Sequence, residues 1–173
     1  MDDVERHDRI ERWFRAYGGR VLAYLLHRTD SDTAQDVLQE VFVIAYRKAE
    51  TVPQPPLGWL FGTARRVLAN TSRGDRRREQ LALRVGANLT DPSPDESGPG
   101  QLVNDTLARI SSADREVLTL SAWYELTGDE AAQALGCSRS AYGVRLHRAR
   151  RRFADELRAA GYAGARPREA VHE

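Results

Sequence analysis

The chain has 173 residues, 41% hydrophobic and 29% charged, with a formal net charge of +1, a balance ordinary for a soluble globular protein of one medium or two small domains. A single cysteine, Cys137, excludes an intrachain disulfide and a multi-cysteine zinc site, and histidines scattered at 7, 27, 147 and 172 give no metal-ligand spacing. No apolar run approaches the roughly 18 residues of a membrane helix, and MDDVERHDRI is charged where a signal peptide is apolar, so a cytoplasmic protein without membrane insertion is expected.

Residues 1 to about 8 read as frayed, and Trp13, Phe14, Tyr17, Val21, Tyr24 and Leu25 recur at helical spacing, which predicts a helix over Ile10–Leu26 weakened by Gly18 and Gly19. Asp30 or Ser31 caps a second helix over about Asp32–Lys48, whose inward stripe is Ala34, Val37, Leu38, Val41, Ile44 and Ala45. Its other face carries Asp36, Gln39, Glu40 and Arg47, which periodicity alone reads as solvated. The prolines of TVPQPPLG forbid regular helix and make a stiff loop. A third helix runs from Leu57 or Gly58 to about Glu79, with Trp59, Leu60, Thr63, Ala64, Val67 and Leu68 on its core face. Arg65, Arg66, Arg73, Arg76, Arg77 and Arg78 gather on the rest. The helix macrodipole favours cations near a C-terminus, but the cluster is too dense for that alone. Beside Trp59, Phe61 and Asn70 it suits single-stranded nucleic acid, where backbone charge and base stacking act together.

Between Val85 and Gln101 the composition turns to GANLTDPSPDESGPG, a linker rich in proline, glycine and acid. A short helix over Leu102–Ile110 follows, then one beginning near Ser112, then TGDEAAQALGCSRSAYGVRLHRARRRF. Thr127 and Glu130 have the capping-box spacing, Gly136 suits a left-handed helix end, and Ser138 is placed to cap the next helix. Two helices meeting at a tight corner form a helix-turn-helix. On the second, Tyr142, Leu146, Ala149 and Phe153 make one stripe, and Ser140, Val144, His147, Arg148 and Arg151 fall opposite. Six arginines and no acid lie between Arg139 and Arg152, a surface that meets phosphate charge and can reach guanine edges. Arg152, nearer the helix end, is expected on phosphate. A solvated face is the plainer alternative, although such faces usually mix signs. Lys48 is the only lysine. The arginine bias suits bidentate contacts and is equally what a GC-rich genome produces. Gly161, Gly164 and Pro167 mark a flexible tail.

The segments AQDVLQEVFVIAYRK, GWLFGTARRVLAN, SADREVLTLSAWYELTGDEAAQALGCS and VRLHRARRRF, in this order across a linker, resemble successive regions of bacterial sigma factors of the extracytoplasmic-function class, over about Ile10–Leu157. The resemblance implies an all-α fold of two small helical domains, with an N-terminal domain over 9–83, an acidic linker over 84–101, a helix-turn-helix domain over 102–160 and a tail over 161–173. It implies a protein that directs RNA polymerase to promoters and is not an enzyme. Asp36, Gln39, Glu40 and Arg47 match the face that docks on core RNA polymerase. Trp59, Arg65, Arg66, Asn70, Arg73 and Arg76 match the part that melts the minus-ten element of promoter DNA. Ser140, Gly143, Val144, His147 and Arg148, with Arg151 beside them, match the positions that read the minus-thirty-five element. Gly143 and Val144 stand where the family usually has a basic and a small polar residue, and Arg66 where asparagine is common. An anti-sigma factor is the further partner implied, with no cofactor, no metal and no small-molecule substrate.

Two other readings compete. A helix-turn-helix repressor or activator working without core polymerase would have no need of the Gln39 and Glu40 face. An enzyme on nucleic acid would need metal-binding acids or a nucleophile with its base. Asp36 and Glu40 share a helix face without a third ligand.

Overall fold

The computed structural model describes residues 2–82 and 99–161, apart from the side chains of 74–82 and 99–101. Its elements are α1 (Asp3–Leu26), α2 (Ser31–Arg47), α3 (Leu57–Ala82), α4 (Pro99–Arg109), α5 (Ser112–Ala122), α6 (Gly128–Leu135) and α7 (Arg139–Ala159), with no strand among the described residues. The fold is all-α. The described residues pack as two compact units, one of residues 2–82 with 126–139, the other of 99–125 with 140–161. Most of the linker and of the tail expected from composition lies outside the described residues.

In the first unit α1, α2 and α3 pack against one another, and α6 packs on α3. Val21, Tyr24 and Leu25 of α1, Ala34 and Val41 of α2, and Leu60, Phe61 and Ala64 of α3 are buried. The Tyr24 and Phe61 rings meet edge to face, centroids 5.2 Å apart. Asp30 caps α2 by accepting from the Thr33 amide at 2.9 Å. That bond, with those from the Thr33 and Thr29 hydroxyls, brings its carboxyl down to about 2.

Three expectations are corrected. Helix α1 begins at Asp3 instead of near Ile10, because Asp2 and Glu5 close a capping box and the first turns are tied to the end of α2. Arg6 pairs with Glu50 at 3.6 Å and lies over the Tyr46 ring, the Tyr46 hydroxyl donates to Asp3, and Arg9 donates to the Ala49 carbonyl at 3.1 Å. Phe14, expected in the core, is 50% exposed and lies edge-on against Phe42. Helix α4 starts at Pro99, three residues before Leu102, in keeping with proline's fitness for a first turn, where its missing N–H is not needed.

In the second unit α4 and α5 meet through Arg115, which donates to the Leu107 carbonyl at 2.8 Å and the Ala108 carbonyl at 3.3 Å and so closes the open end of α4. Leu107, Val117, Leu120, Ala149 and Leu157 are buried.

Candidate nucleic-acid interface

The eight-residue α6 is held at both ends by local chemistry. Thr127 and Glu130 exchange the two bonds of a capping box, Glu130 N to Thr127 Oγ1 at 3.3 Å and Thr127 N to Glu130 Oε2 at 2.8 Å. Gly136 follows at φ 64° with open space around its Cα, so glycine is needed there for conformation and not for room. Only residues 136–138 separate α6 from α7.

Helix α7 buries Tyr142 and Ala149 and turns Ser140, Val144, Arg145, His147, Arg148 and Arg151 outward, with Gly143 half-buried beside them. Val144, 51% exposed, stands amid the arginines. The expected outward residues therefore share one accessible surface of a single helix, cationic with an apolar centre. The inward stripe is less complete than its spacing predicts, since Leu146 and Phe153 are half-buried.

On α3, Trp59, Arg66, Asn70 and Arg73 fall within one narrow stripe at about 100° per residue, and Arg65 lies on its flank. Trp59 is half-buried and the other four are exposed. Arg66 donates to Thr63 Oγ1 at 3.0 Å, and Arg73 donates to Asn70 Oδ1 at 2.9 Å and to the Ala69 carbonyl at 3.0 Å. The side chain of Arg76 lies outside the described residues. On α2, Asp36, Gln39, Glu40 and Arg47 are all exposed and make no hydrogen bond or ion pair among the described residues. No group of three or more His, Cys, Asp or Glu among the described residues is placed to hold a metal ion.

Residues 13–78 match the family Sigma-70 region 2, and residues 101–153 match Sigma-70, region 4. The RNA polymerase sigma-E factor of Streptomyces avermitilis is 31% identical over 132 residues, which cover 74% of this chain and 73% of that protein. The chain belongs to the extracytoplasmic-function sigma factors. RNA polymerase sigma factor YlaC of Bacillus subtilis is 29% identical over 163 residues, 85% of this chain and 91% of that one. The solved sigma factor RpoE of Bartonella quintana, in complex with the anti-sigma factor NepR, has the same fold with a TM-score of 0.64 at 22% identity, over 86% of this chain and 96% of that one. A region 2 match beside region 4 is what a repressor built on a helix-turn-helix alone would lack. The protein binds core RNA polymerase and directs promoter-specific initiation.

Three features of this sigma factor escaped its sequence. Val43, 47% exposed, sits at the centre of the Asp36, Gln39, Glu40 and Arg47 face, where its position seven residues after Asp36 could have placed it. A cleft of about 180 Å³ in the second unit is lined by Val103, Leu107, Leu118, Trp123, Arg150 and Phe153, with Trp123 49% exposed. Arg152, expected on phosphate, has a carboxylate partner: its Nη1 donates to Asp114 Oδ2 at 2.6 Å, and Ser111 Oγ donates to the same oxygen at 2.8 Å.

Burial alone raises the Asp114 carboxyl, but the bonds from Arg152 and Ser111 outweigh it and hold the group below its ordinary value of 3.8. A carboxylate held down in the folded state stabilises only while ionised. Its contribution is therefore present above 3.8 and disappears as pH falls through the lower folded value. Asp114→Asn is expected to cost about 1–3 kcal/mol at neutral pH. Urea unfolding across the acid range checks this, and the difference from wild type should close as the wild-type carboxyl protonates.

No helix among the described residues is long and apolar enough to cross a membrane.

Proposed function

We propose that this sigma factor distributes its work over three faces. Asp36, Gln39, Glu40, Val43 and Arg47 of α2 dock on core RNA polymerase. Trp59, Arg65, Arg66, Asn70, Arg73 and Arg76 of α3 hold the melted minus-ten strand. Ser140, Gly143, Val144, His147, Arg148 and Arg151 of α7 read the minus-thirty-five element. The functional domains are residues 9–83 and 102–160, joined by 84–101 and followed by the tail at 161–173. The chain works in the cytoplasm, catalyses no reaction, needs no cofactor, and is held in check by a protein of the anti-sigma class, as its relative from Bartonella quintana is found bound.

The observation that carries the polymerase face is its make-up: four exposed polar side chains, without partners among the described residues, around an exposed valine, an apolar centre inside a polar rim. Stability of the free chain gives no reason for it. The stripe on α3 offers a stacking platform beside cations, the combination that binds single strands whatever their sequence.

Gln39→Ala combined with Glu40→Ala is expected to weaken core polymerase binding by about tenfold, the effect of losing roughly 1.4 kcal/mol at an interface. The unfolding midpoint should stay where it is, since both side chains are exposed. Fluorescence titration of core polymerase with labelled sigma factor measures the first, and a urea series the second. An unchanged affinity would remove α2 from the interface.

A further inference from the structure

Val144 is the sixth residue of α7 and is 51% exposed, on the side of the helix away from the buried Tyr142 and Ala149. At about 100° per residue it falls at the centre of the outward face, with Ser140 and Arg151 to one side and Arg148 to the other. Ser140, Gly143 and Val144, near the start of the helix, have short side chains or none, whereas His147, Arg148 and Arg151 further along are long. A recognition helix meets base edges chiefly with its N-terminal residues, and a short-chained start lets the helix come close enough for a valine to reach them. Valine is held stiffly at χ1 and has neither donor nor acceptor. In the major groove guanine, adenine and cytosine present donors and acceptors, and thymine adds its C5-methyl. An isopropyl group pressed on N7, O6, N6 or N4 strips their water and returns no hydrogen bond, which weakens binding. Against a methyl the same group buries apolar surface and strengthens it.

We propose, on the assignment of α7 to the minus-thirty-five element, that Val144 reads a pyrimidine C5-methyl there, thymine or 5-methylcytosine alike. What is selected is the methyl and not the base. A cytosine methylated at C5 carries the same group at the same place in the groove, and Val144 has nothing with which to tell its amino group from the carbonyl of thymine. Val144 and Arg148 stand about 6 Å apart along the helix axis and successive base pairs about 3.4 Å apart, so the methyl lies within about two base pairs of the guanine that Arg148 contacts. Cytosine methylation thereby becomes an input to promoter choice: an element with cytosine at this position binds better once methylated.

Holoenzyme reconstituted with the full chain tests this. An element is first selected with wild-type holoenzyme from promoters randomised over the minus-thirty-five region. Each thymine on either strand is then replaced singly by deoxyuridine, which removes the methyl and keeps the pairing, and affinity is measured by competition. Wild-type holoenzyme is expected to lose about fourfold at one position, the effect of one buried carbon, and Val144→Ala to be indifferent there. With a guanine pair at that position, 5-methylcytosine is expected to bind wild-type holoenzyme about fourfold better than cytosine, again with no difference for Val144→Ala. Val144 is exposed and alanine is the better helix former, so the substitution leaves α7 intact. Deoxyuridine tolerated at every thymine, or a selected element with no thymine on either strand, would make Val144 an ordinary exposed apolar residue. Sensitivity that persists in Val144→Ala would place the contact on another side chain. A thymine effect without a matching 5-methylcytosine effect would show that the base is read and not the methyl. If wild-type holoenzyme selects no sequence at all, it is the assignment of α7 that fails, since a methyl contact needs a helix lodged among the bases.

Discussion

Phe61→Ala is expected to lower the stability of the first unit by about 3–5 kcal/mol, the range for truncating a buried aromatic ring. Phe61 is 1% exposed and meets Tyr24 edge to face across the α1 and α3 contact, so truncation opens a cavity where neither helix can close on the other. Small domains have about 5–15 kcal/mol in hand, so the loss removes a large part of it. The same substitution loosens the helix that carries Trp59, Arg66, Asn70 and Arg73. Urea unfolding followed by circular dichroism measures the loss. A change below about 1 kcal/mol would mean that the ring is not packed as described.

Arg148→Ala and Arg152→Ala are expected to fail in different ways although the residues are four apart. Arg148 is exposed, has no partner among the described residues, and lies on the face opposite Tyr142 and Ala149. A bidentate contact from such a residue to guanine discriminates by about 1–3 kcal/mol. Its loss should relax preference at one or two positions of the minus-thirty-five element, by roughly tenfold or more. Arg152 is tied to Asp114, so its removal should destabilise the second unit and leave the ranking of promoters alone. Run-off transcription on a library of minus-thirty-five variants, beside thermal melts of both proteins, separates the two. An unchanged ranking for Arg148→Ala would make that residue a phosphate clamp or a solvated charge.

What the sequence revealed was mostly local. The Thr127 and Glu130 box, Gly136, and the outward set from Ser140 to Arg151 depend on neighbours within a few turns, and their spacing exposes them. The beginning of α1 was missed because its first turns are held by Glu50, Tyr46 and Ala49, some forty residues away. Phe14 fits the helical period of a core face, yet the neighbouring helix covers only part of that face. Asp114 reads as an ordinary residue near a helix start. Its link to Arg152 spans 38 positions, and no periodicity announces it. The partner assignments came from resemblance, since an exposed Gln39 and Glu40 are by themselves indistinguishable from any solvated surface.

The Asp114 and Arg152 pair has a further consequence, in ionic strength. Arg139 is paired with Asp129, Arg150 donates to Ser121 and Arg152 is held by Asp114, which leaves Arg145, Arg148 and Arg151 of the basic run without partners among the described residues. Each phosphate neutralised releases about 0.9 of a counterion, so these three arginines give a logarithmic slope no steeper than about −3 even if all of them met phosphate, where six would give about −5. Between 50 and 200 mM salt that is a loss of at most roughly 40-fold instead of roughly 2,000-fold. A helix so arranged adds little to indiscriminate attraction for DNA, and its grip on a promoter varies modestly as the salt around it changes.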